Sequence, residues 1–126
     1  MIAVPESWLE MHKSMVRDNG GDVQAALASK AANGRLTVAE CYALDLDPED
    51  ATNDFRVVSF PMKADGTPDV ANIKFEPAES KWNVQGARAV LKGAEILGDE
   101  NWQTVYDMSD VDRAKLHYFK YVIELP

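Results

Sequence analysis

Apolar residues recur at helical spacing through the first third of the chain and at alternate positions through much of the rest. In SWLEMHKSMV, Trp8, Leu9, Met11, Met15 and Val16 form a broad stripe of the kind an amphipathic helix buries. Ser7 stands where an N-cap belongs, and Asn19-Gly20-Gly21 ends the run. Asp22 is placed to cap a second, shorter helix from Val23 to Lys30. That helix is alanine-rich, so it is expected to pack closely, and Asn33-Gly34 closes it. Thr37 and Glu40 have capping-box spacing, in which each side chain satisfies the other's free backbone amide. The helix they open runs through Cys41, Tyr42 and Leu44 and stops before Pro48, whose ring disfavours helical backbone in the residue ahead of it.

From Phe55 the period changes. FRVVSFPM is β-branched and aromatic, and ADGTPD supplies a turn. VANIKFEP alternates, with Ile73 and Phe75 on one face and Asn72, Lys74 and Glu76 on the other. ARAVLKGAEIL reads as a third strand interrupted at Gly93, and WQTVY as a short fourth after the polar turn GDEN. In LHYFKYVIELP, Phe119, Tyr121, Ile123 and Leu125 share one face of a last strand, opposite Lys120 and Glu124. These elements predict an α+β fold: short N-terminal helices packed on a small antiparallel β-sheet or sandwich. The expected division is a helical segment over 1–50 and a β-domain over 51–126, together one compact unit.

Composition narrows the function. At 126 residues and 46% hydrophobic, the chain can bury a core. A net charge of −8 argues against nucleic acid and anionic membrane as partners, since both require concentrated basic surface. There is no apolar run long enough to insert in a membrane, and MIAVPESW lacks the pattern of a signal peptide. The single Cys41 cannot form an internal disulfide. With His12 and His117 far away in sequence it makes no zinc motif. No cofactor and no metal are expected, and a monomer is.

One stretch carries the outline of a calcium loop. Aligned on Gly34 as the sixth position, the ligand places hold Ser29, Ala31, Asn33 and Glu40. Alanine supplies no ligand and serine a neutral one, so the charge is too low for a divalent cation. Asn33-Gly34 as a turn and Glu40 as a cap explain the pattern better. The acidic run Asp45, Asp47, Glu49, Asp50 and Asp54 offers a second place for a cation, and a solvated turn is the commoner meaning of such a run.

ANGRLTVAECYALDLDPED, followed by DFRVVSF, NWQTV and a terminal YFKYVIELP, resembles a C-terminal module of large bacterial surface and secreted proteins. In that family a helical segment with a pattern like NGR…ECY…GLDP leads into a small β-domain. The resemblance covers nearly the whole chain, including the SWLE start. It implies a non-catalytic module of an exported parent, extracellular or at the cell surface, with the parent's other domains or an extracellular ligand as partner. The sequence departs from the pattern in placing Asp45 where glycine is usual and in lacking the calcium aspartates.

Catalytic signatures are not evident. Ser59, Ser80 and Ser109 have no nucleophile-elbow surroundings, Gly20-Gly21 has no following lysine to make a phosphate loop, and Glu95, Asp99 and Glu100 read as turn and surface acids. For binding, the candidates are aromatic. Trp82 sits in the polar stretch ESKWNVQG, and Tyr118 lies on the face opposite Phe119. Either could present a ring to a sugar or a protein. Trp8 is expected to staple the first helix to the sheet and Trp102 to pack in the core.

Overall fold

The computed structural model of the chain describes residues 2–98 and 101–126, so Asp99 and Glu100 lie outside the described residues. It is a small α+β fold of short helices with a two-stranded and a three-stranded sheet. Contacts divide it into two compact units, and neither is a continuous stretch of chain. One comprises Met1–Arg56, Phe75–Ala87 and Leu125–Pro126, the other Val57–Lys74 and Arg88–Glu124.

In the first unit the expected opening helix is two helices, α1 (Glu6–Met11) and α2 (Lys13–Asp18), broken at His12, which has φ −121° and ψ 31°. Ser7 is not the cap. Pro5, extended at φ −62° and ψ 145°, occupies that place without a side-chain bond. Proline suits this position because its ring fixes a helix-compatible φ and no amide is lost. The break also divides the apolar stripe: Trp8, Leu9, Met15 and Val16 are half-buried, whereas Met11 is 74% exposed. Asn19-Gly20-Gly21 stops α2 as expected, with both glycines at positive φ and the Gly21 amide returning to the Val16 carbonyl at 2.9 Å.

Asp22 caps α3 (Val23–Ala28) by accepting from the amides of Gln24 and Ala25. The helix ends before Lys30. The Ser29 hydroxyl takes the Ala26 carbonyl at 2.6 Å, a side-chain competitor for helical bonding, and Lys30 pairs with Thr37 in a β-bridge instead. The capping box of α4 (Val38–Ala43) is complete. Leu27, Val38, Cys41, Ala43, Leu44, Leu46 and Phe55 fill the core of this unit. The segment Phe75–Ala87 joins it through specific contacts. Phe75 lies between Phe55 and Trp82, at ring-centroid distances of 5.3 Å and 5.9 Å. Asn83 donates its amide to the Ala43 carbonyl at 2.8 Å and its side-chain NH2 to the Tyr42 carbonyl at 2.9 Å.

The five expected strands are present. β1 (Arg56–Ser59) and β2 (Lys74–Glu76) form the two-stranded sheet. Only the end of VANIKFEP is strand; Val70–Asn72 is a 3-10 turn, held where the Asn72 amide and side-chain NH2 both donate to Asp69. In the second unit β3 (Arg88–Ala94) lies between β4 (Gln103–Thr104) and β5 (Tyr118–Glu124), antiparallel to both. Gly93 does not interrupt β3. A Cβ there would sit 2.5 Å from Leu116 Cδ1, so the glycine admits a buried leucine rather than breaking the ladder. The alternation in β5 is as expected, with Ile123 buried, Phe119 and Tyr121 half-buried, and Lys120 and Glu124 exposed.

WQTVY gives only two strand residues before a 3-10 turn, Val105–Asp107. A helix that the sequence reading did not place follows, α5 (Asp110–Arg113), capped by Ser109. Arg113 reaches back from it to the carbonyls of Val105 and Tyr106. No helix among the described residues is long and apolar enough to cross a membrane.

Candidate functional site

The loop between α3 and α4 is a helix–loop–helix of the calcium-loop outline, and its polar side chains are turned onto its own backbone. Gly34 takes φ +74°. Asn33 Oδ1 accepts from the amides of Arg35 and Leu36 at 3.0 and 3.1 Å, while its NH2 donates to the Asn53 carbonyl. Glu40 Oε1 accepts from the Thr37 amide at 2.8 Å, and Ala31, at the third position of the loop, is buried. Hydrogen bonds thus hold the bend that an ion holds in a calcium loop. The segment after α4 is built the same way. Asp47 accepts from the Glu49 amide and Asp50 from that of Thr52, and Asn53 accepts from the Asp47 amide. The Asp50 carboxyl lies below its ordinary range because the Thr52 hydroxyl and amide stabilise its charge.

Against this turn stands a site whose members sequence spacing could not join. His12, buried at the α1–α2 break, places Nδ1 2.8 Å from Glu49 Oε2, 37 residues away. Ser14 donates to the other oxygen of Glu49 at 2.8 Å. The His12 bond, then that of Ser14, holds the Glu49 carboxyl below its usual range. Trp8 packs over the imidazole at 4.5 Å and meets Tyr42 edge-on at 5.2 Å. The break at His12, a surprise from the helical pattern, is what turns this ring toward the acidic segment. In α4, Cys41 is fully buried, and its thiol is pushed up to about 12 by desolvation and then by the charges of Glu40, Asp54 and Asp47.

The two aromatic candidates fall in different units. Trp82 is half-buried, stacked on Phe75 at an interplanar angle of 20°, with its indole N–H donated to the Pro77 carbonyl at 3.0 Å. Tyr118 is 40% exposed at the start of β5. On the same face, Val122 is exposed and Lys120 lies 4.4 Å above the Trp102 ring. Trp102 is thus half-exposed beneath a lysine rather than in the core. Among the serines, Ser59 and Ser80 are exposed and Ser109 caps α5; His117 is exposed, with its amide donated to the Ala94 carbonyl.

Comparison of the chain with family models, with curated proteins and with solved structures yields no match.

Proposed function

We propose that the chain is a non-catalytic structural or interaction module of a larger exported bacterial protein, working outside the cell or at its surface. One observation carries this reading. Asn33, Thr37, Glu40 and Asp47, the polar landmarks of the segment that resembles surface-protein modules, all direct side-chain oxygens to backbone amides. Residues used in this way maintain a shape and leave few groups free for chemistry. A panel of glycosidase, esterase and peptidase substrates tests the proposal. No turnover above buffer is expected from the full chain, and turnover that survives repurification would end the reading.

A binding role for the outer face of β5 is the second reading. Tyr118, Val122 and the Lys120–Trp102 pair place aromatic, apolar and cationic groups on one face. Glycan-array binding that disappears in Tyr118→Ala while the variant stays folded would favour it. Trp82→Ala is the matched comparison. It removes a stacked and hydrogen-bonded ring, so loss of stability is its expected effect.

A further inference from the structure

We propose that His12, Asp47 and Glu49 form a binding site for a first-row transition-metal dication of the zinc type. One imidazole nitrogen and one oxygen from each carboxylate all lie within 4.8 Å of one another. Nitrogen-plus-carboxylate sets suit zinc and its neighbours, whereas calcium and magnesium prefer oxygen alone. The site is therefore distinct in place and in chemistry from the loop around Gly34.

Three features go beyond mere proximity. The imidazole is fixed before any ion arrives: its side chain is 9% exposed and Trp8 covers it. Glu49 is oriented by a partner outside the cluster, Ser14, as metal ligands characteristically are, and Asp47 by the backbone amide of Glu49. Ser14 holds Glu49 Oε1 and leaves Oε2 facing the ring, while the Glu49 amide holds Asp47 Oδ1 and leaves the second oxygen of Asp47 free of that bond. The electrostatics also call for a cation. Two carboxylates converge on one imidazole in a chain of net charge −8, and a dication neutralises both. Tetrahedral zinc with bonds near 2.0–2.1 Å puts ligand atoms about 3.3 Å apart. The 2.8 Å separation of Nδ1 and Oε2 therefore has to open by about half an ångström on loading, while a pair as wide as the 4.8 Å limit has to close by about 1.5 Å. Three protein ligands leave a fourth position for water.

The ion would clamp the α1–α2 break to the turn after α4, which makes the site a staple within the first unit. The test uses the full chain stripped with a chelator and then titrated with Zn2+, followed by calorimetry and by 1H–15N spectra of the two histidines. One equivalent of zinc should bind saturably, shift the His12 ring signals, leave those of His117 in place and raise the melting temperature. Asp47→Asn and Glu49→Gln, both at exposed positions, should each weaken binding at least about tenfold. Their metal-free circular dichroism, recorded alongside, should match that of the parent chain. Co2+ should substitute and give a visible ligand-field band, and Ca2+ should not compete. Absence of saturable binding overturns the site. So does binding that either variant leaves unchanged, or that moves His117 instead of His12, since zinc would then be held elsewhere.

Discussion

Asp45 follows α4 with its backbone in the left-handed region at φ +60°, alone in this among the described non-glycine residues. Aspartate tolerates that region better than most residues but still crowds its Cβ against the carbonyl, a cost of about 1–2 kcal/mol for an ordinary side chain. What it gains is helix closure, the Asp45 amide donating to the Tyr42 carbonyl at 3.2 Å and the Leu46 amide to the Cys41 carbonyl at 2.8 Å, with a longer contact from Asn83 Nδ2 to its Oδ1 at 3.4 Å. Glycine removes the crowding but loses more freedom on folding, about 0.5–1 kcal/mol. Asp45→Gly should therefore stabilise the chain by up to about 1 kcal/mol in urea denaturation, and Asp45→Val should destabilise it. Gly93 is the opposite case. Gly93→Ala drives a methyl into the side chain of buried Leu116, which has to shift within a packed core, at an expected cost of about 1–3 kcal/mol. The clash is specific, so Gly93→Ala combined with Leu116→Ala should lose less than the sum of the two changes. The sequence marks Gly93 as unusual for a strand but not why, because Leu116 lies far along the chain. Asp45 was legible only as a departure from an expected glycine.

Elements announced by local chemistry were legible to within a residue or two. Thr37 with Glu40, Asp22, and the Asn19-Gly20-Gly21 stop all act where the sequence puts them, because a cap or a glycine turn involves neighbours in the chain. Thr37→Ala should cost the chain about 1 kcal/mol, and Glu40→Gln, which keeps an acceptor, distinctly less. Elements decided by distant contacts were not legible. The first helix breaks where His12 turns to Glu49, 37 residues away. α5 is a local element that the pattern of apolar residues did not announce: Ser109 caps it and Arg113 binds carbonyls seven and eight residues back. The turn at Asp65 allows a test by pH. Asp65 Oδ1 accepts from the hydroxyl and amide of buried Thr67, at 2.6 and 3.0 Å, and this lowers its carboxyl below the ordinary range. A group lowered on folding stabilises the fold above its unfolded pKa, and the benefit is lost as pH falls through the folded value. The Asp65 carboxyl carbon should titrate by NMR below the ordinary aspartate range, and Thr67→Val should move it up toward that range.

At the level of the whole molecule the α+β class was readable from the change of period near Phe55, but the membership of the units was not. Residues 75–87 read as β-domain sequence and belong by contact with the helices, through Phe55–Phe75–Trp82 and the Asn83 bonds to Tyr42 and Ala43. These links join positions up to 41 residues apart, which no periodicity reports. A fragment starting at Asp54 deletes most of the first unit and strands its later segments. It should melt well below the full chain, and an equal melting temperature would show the helices to be dispensable. The first unit also carries the means to time its own opening. A thiol titrating at about 12 is ionised at pH 8 to the order of one part in ten thousand, whereas an unfolded cysteine near 8.5 is ionised substantially. Cys41 has no exposed surface for a reagent to reach. Alkylation therefore waits for the helices around it to part. When reclosing outpaces the reagent, the ratio of native to denatured labelling rates gives the opening equilibrium directly, so a single unmodified sulfur serves as a clock for local unfolding.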